Sequence, residues 1–316
     1  MNEQLQSDFD KIVKNSKFSN KEIQLKKDFL NKFIESGFPN RKQEDWKFLD
    51  ISQIIKKNIS DLSYFIDYSQ SNKIDPSTFV DGLEHNKIIF LNGRIEKIDF
   101  NHEDKSKIEI SDETKKDISF NYENSLIDLN SAFTDKVFKI LVKKDYSLTK
   151  PLIIYHSTND SIKSTNINLR LDFELGENSC LKLIDYFTNN TTKNFINIFY
   201  NFNLEKDSIL KNYKIDKFRN DNLTYSFNNI EQGNNSVSET FILSAGSDYL
   251  KNEINCNLNG EYSSAFINGV FSLKENQQHE IRTTINHLVE NTKSYQLIKS
   301  VLGKNSKSAY QGRIFV

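Results

Sequence analysis

Methionine and tryptophan occur once each, cysteine twice and proline three times in the 316 residues. Two cysteines, Cys180 and Cys256, are too few for a disulfide framework and lack the C-x-x-C spacing of a zinc or redox site. Both stand in strand-like contexts that read as buried, inert thiols. Long apolar runs are missing as well: nowhere do about 18 apolar residues follow one another. The opening Met1-Asn2-Glu3-Gln4-Leu5 has no basic segment leading into an apolar one, so a soluble cytoplasmic protein is expected. Net charge is almost absent too. Lys+Arg 42 against Asp+Glu 43 leaves a formal −1, and no whole-chain field draws the chain to nucleic acid or to anionic lipid. The abundance of Asn, Lys, Ile and Ser reads as genome bias and carries no function.

Catalytic signatures are equally scarce. There is no G-x-x-x-x-G-K-[ST] loop to cradle phosphates, no G-x-S-x-G elbow and no H-E-x-x-H helix. The five histidines, His85, His102, His156, His279 and His287, are scattered. His279 and His287 share strand parity and could form a metal pair, but a separation of about 27 Å by strand rise argues against a common ligand. His287 reads instead as a hydrogen-bonded structural histidine. Acidic residues are spread along turns without a dense inward-facing cluster, which weighs against a β-helix enzyme of the calcium-dependent kind. No catalytic, cofactor-binding or metal-ligating residue is assigned.

What is present is a change of period. Over the first ~60 residues the pattern is helical. Ser7 is placed as the cap of a short helix carrying Phe9, Ile12 and Val13. Ser19 and Glu22 match a capping box ahead of a longer helix, whose Leu25, Phe29 and Phe33 form one apolar stripe. Gly37 and Pro39 stop that helix, and Ile51, Ile54 and Ile55 begin another short helical pattern after Trp46. The polar stretch Ser69-Gln70-Ser71-Asn72-Lys73 is the best candidate linker. From about Lys87 the period becomes twofold, as in Ile167, Leu169, Leu171, Phe173 and in Ile196, Ile198, Tyr200, Phe202. Strand-like runs begin near Phe138, Leu152, Ile167, Leu181, Ile196, Leu210, Leu223, Thr240, Ile254, Ile267, Ile281 and Gln296, about every 14 residues. Punctuation such as Gly176-Glu177-Asn178-Ser179 separates them, and no helical segment of useful length interrupts the series. A sandwich, a barrel and a coil of stacked strands all fit. Regular spacing without hairpin dipeptides favours the coil, a β-helix whose turns bury a continuous core.

Two segments, one near each end, resemble a known family. The first is Gly37-Phe38-Pro39-Asn40-Arg41-Lys42-Gln43-Glu44-Asp45-Trp46-Lys47-Phe48, a helix stop, a polar turn and one large aromatic anchor. The second runs from Ile281-Arg282-Thr283-Thr284-Ile285-Asn286-His287 through Thr292-Lys293-Ser294-Tyr295-Gln296-Leu297-Ile298-Lys299-Ser300-Val301-Leu302 to Ser308-Ala309-Tyr310-Gln311-Gly312-Arg313-Ile314-Phe315-Val316. Between them lie Ile88-Ile89-Phe90-Leu91-Asn92-Gly93, Leu129-Asn130-Ser131-Ala132-Phe133 and Lys150-Pro151-Leu152. In this order the five are similar to landmarks of the SufB/SufD family of iron–sulfur cluster assembly proteins, the arginine-tryptophan opening tipping the likeness to the SufD side.

The resemblance implies a mainly β fold, a right-handed parallel β-helix preceded by a small α-helical N-terminal domain, divided here as residues 1–70 and 80–316. It implies a scaffold subunit and not an enzyme, acting with SufB-like and SufC-like subunits, nucleotide hydrolysis belonging to SufC. Because four thiolates usually hold a cluster, no cofactor is expected on this chain alone and the iron–sulfur cluster is expected in the assembled complex. Relatives continue past the position of Val316 into a further helical domain, which this chain is expected to lack. The competing reading is a stand-alone β-helix that acts on or binds carbohydrate.

Overall fold

The computed structural model describes residues 2–59, 61–68, 79–113, 123–188 and 192–316, so the candidate linker Ser69–Lys73 lies outside the described residues. The amino-terminal region forms three helices, α1 (Asn2–Asn15), α2 (Asn20–Ser36) and the short α3 (Ile51–Ile54). Ser7 lies inside α1 and does not cap it. Leu5 and Phe9 are both buried, and their i, i+4 spacing extends the apolar stripe one turn earlier than Ser7 allows. The Ser19/Glu22 capping box is formed, and Gly37 closes α2 at φ 67° with its amide on the Phe33 carbonyl.

Among the described residues sixteen strands follow: β1 (Asn86–Leu91), β2 (Arg94–Asp99), β3 (Ile108–Glu113), β4 (Val137–Val142), β5 (Leu152–Ser157), β6 (Asn166–Leu175), β7 (Cys180–Phe187), β8 (Phe195–Leu204), β9 (Ile209–Asp216), β10 (Asn220–Gln232), β11 (Val237–Ser244), β12 (Ser247–Leu258), β13 (Ser264–Leu273), β14 (Gln278–His287), β15 (Lys293–Leu302) and β16 (Lys307–Phe315). From β4 onward they alternate between two sheets, so one turn of the coil is two strands. The first sheet has the order β15-β13-β11-β9-β7-β5-β1-β2 and the second β16-β14-β12-β10-β8-β6-β4-β3. The pairs Cys180–Ile209, Ile209–Val237, Val237–Ser264 and Ser264–Lys293 place each residue on its counterpart 29, 28, 27 and 29 positions on. This is the parallel β-solenoid that the alternation anticipates.

Three elements depart from a pure series of stacked parallel strands. β2 and β3 pair antiparallel with β1 and β4 and close the start of each sheet. β1 and β2 are joined by Asn92-Gly93, both at positive φ, a hairpin dipeptide the spacing argument had discounted. The third is a helix, α4 (Ser125–Phe133), formed by the Leu129–Phe133 landmark and capped by the Asn124 side chain. It takes up the outer face of the second sheet: the Asn130 amide donates to the carbonyls of Leu169 and Asn197, both at 2.9 Å. The buried Lys26 ammonium of α2 donates to Ser131 O at 3.2 Å and to Thr134 O, where α4 ends in unpaired carbonyls. Burial lowers its pKa to about 8. α1, α2, α4 and Trp46 share one apolar cluster with Phe195, Phe199, Leu223 and Tyr225 of the second sheet. The main core lies between the sheets, on the inward residues of every turn.

The corners repeat as strictly as the strands. Asp145, Asn178, Asp207, Asn235 and Asn291 each turn the chain from the second sheet to the first in the left-handed region, which Asn and Asp tolerate best. Successive corners are hydrogen-bonded, Asn178 N to Lys206 O at 3.0 Å and Asn235 N to Glu261 O at 2.9 Å. Ser208, Ser236 and Ser263 tie their own corners through Oγ to the carbonyl three residues back. On the outer face of the second sheet Asn229 donates to Asn201 at 3.0 Å and Asn255 to Asn229 at 3.1 Å, a side-chain ladder parallel to the backbone one. One corner breaks the rule: Tyr262 holds φ 63° with its ring 60% exposed. A left-handed residue other than Gly, Asn or Asp carries strain with no packing to offset it, so Tyr262→Asn should raise stability by roughly 1 kcal/mol. Urea unfolding measures this, and a loss of stability would contradict the corner rule.

Candidate functional site

The groups that could carry chemistry are far apart. Cys180 is half-buried on the outward side of β7, and burial raises its pKa. Cys256 is fully buried between the sheets on β12, where burial pushes its thiol up to about 12. Both are free cysteines and both favour the protonated form, which is neither nucleophile nor ligand. His85 contacts Leu83 O and the Tyr155 hydroxyl, and His102 lies in an exposed turn. His287 is held by Thr292 Oγ1 at 2.7 Å and Ser294 Oγ at 2.9 Å, the structural role read from its strand. Among the described residues no group of three His, Cys, Asp or Glu could hold a metal ion.

Two polar clusters inside the solenoid were not singled out from the sequence. Asp185 of β7 receives the Lys214 ammonium at 2.6 Å, the Tyr200 hydroxyl at 2.6 Å and His156 Nε2 at 2.5 Å. All four side chains are buried. Burial alone would raise the Asp185 pKa, but Lys214 and His156 beside it hold the carboxyl well below its usual range. Burial and then Asp185 push Tyr200 far up, while burial lowers Lys214 against the pull of Asp185. The imidazole of His156 lies between Phe90 and Phe187, with centroids at 5.8 and 4.8 Å. The second cluster centres on Asp216, which accepts from Ser247 N at 3.0 Å, Ser247 Oγ at 2.8 Å and Gly246 N at 3.2 Å. Beside it, His279 Nε2 meets Ser247 O at 2.6 Å. A carbonyl only accepts, so Nε2 carries the proton and Nδ1 accepts from Ser244 Oγ at 2.7 Å. Burial lowers the His279 pKa, consistent with a neutral ring.

A third cluster attaches the amino-terminal helices. The Trp46 ring covers the Lys251 ammonium at 4.0 Å and packs on Tyr225 at 5.4 Å. Lys251 is fully buried, donates to the Asp45 carbonyl and is paired with Glu280 at 2.8 Å and Glu253 at 3.3 Å. Burial raises the Glu280 pKa, opposed by Lys251. The Asp45 carboxylate takes Arg282 at 2.6 Å and Arg313 at 3.0 Å, so one loop grips β12, β14 and β16. Trp46 is thus the aromatic anchor its setting implied. The acid beside it does as much, a role the motif alone does not reveal.

These clusters sit in a two-sheet parallel solenoid with a helical layer clamped to one flank. The chain belongs to the SufBD core family of the SUF iron–sulfur cluster assembly system: the family model described as "SUF system FeS cluster assembly, SufBD core domain" matches residues 153–316. The chain is also 22% identical over 297 residues to "Iron-sulfur cluster assembly protein SufD" of Escherichia coli (strain K12), covering 91% of this chain and 68% of that protein.

Removing one partner of a buried ion pair strands the other. Lys214→Met should therefore destabilise the chain by roughly 3–5 kcal/mol. Adding Asp185→Leu to it should recover part of the loss, because the stranded carboxylate is then gone. Guanidinium unfolding of the two single variants and the double variant measures the coupling. Additive losses would contradict the ion pair.

Proposed function

We propose that the chain is a non-enzymatic scaffold subunit of the SUF system that works with SufB-like and SufC-like subunits, the iron–sulfur cluster being cargo held only in the assembled complex. One observation carries this reading. The family match at 153–316 runs from the start of β5 to the end of β16, so it covers the twelve later strands of the solenoid. The thiols support it: Cys180 and Cys256 stand on different sheets, one facing out and one facing in. The carbohydrate reading needs clustered inward acids or exposed aromatic rows on one sheet. The inward Asp185 and Asp216 are each held by three donors, and on the first sheet the exposed Tyr213 and Tyr295 each stand beside one phenylalanine in rows otherwise of aliphatic, polar and charged side chains. Among the described residues no helix is long and apolar enough to cross a membrane.

In a form extended to the length of its relatives and co-expressed with SufB-like and SufC-like subunits of the same organism, the chain should co-elute with them. Purified alone it should hydrolyse no nucleotide and retain no stoichiometric iron and sulfide. Stoichiometric iron and sulfide lost on Cys180→Ser or Cys256→Ser, or failure to join the two subunits, would overturn the proposal.

A further inference from the structure

The two sheets present very different outer faces. That of the second is covered by helices at one end and faced with asparagine ladders further on. That of the first is largely apolar. Outward positions of β7, β9, β11, β13 and β15 carry Ile184, Tyr213, Phe241, Asn268 and Leu297 in one row across the strands, and Tyr186, Ile215, Leu243, Val270 and Lys299 in the next. Tyr213 is 37% exposed, Leu297 42%, Tyr295 53% and Val301 71%, while Phe241, Leu243, Phe266 and Val270 are half-exposed. With strands about 4.8 Å apart and same-face residues about 6.7 Å apart, the apolar positions of the four strands β9 to β15 present roughly 300 Å². A contiguous apolar patch of that size is often functional.

The same face shows how it is covered where it is covered. Over β5 and β7 the segment carrying Phe79 and Val80 packs on Tyr155 and Tyr186, with Val80 N donating to the Tyr155 hydroxyl at 3.1 Å. Ile215 of β9 still packs on that cluster with Phe218, but Tyr213, Phe241, Leu243, Val270 and Leu297 belong to no apolar cluster among the described residues. Charge limits what could cover them. On the outward positions of these five strands the lysines Lys182, Lys211, Lys293 and Lys299 face one acid, Glu239, which Lys211 neutralises at 3.1 Å. A second copy would bring the same positive rim against this one.

We propose that this face docks an amphipathic helix of a partner protein, its apolar stripe lying across Tyr213, Phe241, Leu243 and Val270 and its flanks acidic. The inference rests on the reading of the chain as a partner-docking subunit, but its test uses no SUF subunit and so fails separately from that reading. Two fluorescent 21-residue amphipathic peptides share one leucine face, one flanked by Glu and the other by Lys, and anisotropy reports their binding to the intact chain. The Glu-flanked peptide should bind at least about 10-fold more tightly, and 0.5 M salt should remove most of that preference. Tyr213→Asp with Leu297→Ser should weaken it about 10-fold. Lys182→Glu with Lys299→Glu leaves the apolar side chains intact and should reverse the preference between peptides. Equal binding of both peptides, binding of neither, an unchanged preference in the charge-reversed variant, or a dimer of the chain dissolved by Tyr213→Asp would each overturn the proposal.

Discussion

Everything in this molecule depends on in-register stacking, in which each residue from β4 onward sits on a counterpart 26 to 33 positions away. A parallel ladder in a coil satisfies the backbone only if the strands keep their register and the corners take up the differences in length. That requirement explains where the irregular residues can be. Gly246 and Gly260 sit at corners so tight that an added Cβ would lie 1.9 Å from Phe218 O and 2.0 Å from Asn234 N. It also explains why like stacks on like, since Asn on Asn completes amide-to-amide hydrogen bonds that no single turn could make.

The buried ionic clusters are costly to place in such a core and are affordable only because they are closed sets. Asp185 has Lys214 on the next turn directly above it in register. Tyr200 reaches it from the opposite sheet and His156 diagonally from the preceding turn. A shift of one turn by two residues would keep the apolar parity but separate Asp185 from Lys214, so the cluster penalises the slip that hydrophobicity alone would tolerate. On the outer side, Asp45 and Trp46 give the helical layer one seat, bridging β12, β14 and β16.

How much of this was legible in the sequence differs by element. The strands from Phe138 to Gln296 were, because alternation reports a half-buried strand whatever its neighbours are, and each of those runs is a strand here. α4 was not. Nine residues, of which only Leu126, Ile127, Leu129, Ala132 and Phe133 are apolar, give a weak helical period, and its stability comes from a sheet face the local sequence does not contain. The asparagines were read as genome bias, whereas Asn178, Asn235 and Asn291 occupy left-handed corners and Asn201, Asn229 and Asn255 build the outer ladder. A signal for the interior cluster did exist: Asp185 and Lys214 take apolar parity in their strands and are 29 residues apart. It becomes readable only once the length of a turn is known.

The stacking register is the claim on which the rest stands, and cross-linking reads it most directly. In a background with Cys180→Ser and Cys256→Ala, Asn229→Cys with Asn255→Cys places two thiols on register partners of adjacent turns. Asn229→Cys with Asn257→Cys places them on the same face but one pair out of register. Directly paired residues bring their Cβ atoms to about 5 Å and diagonal ones to about 7 Å, and only the first spacing approaches disulfide geometry. Under mild oxidation the 229/255 pair should close within the monomer far faster than the 229/257 pair. Equal rates, or faster closure of 229/257, would contradict the solenoid register described here.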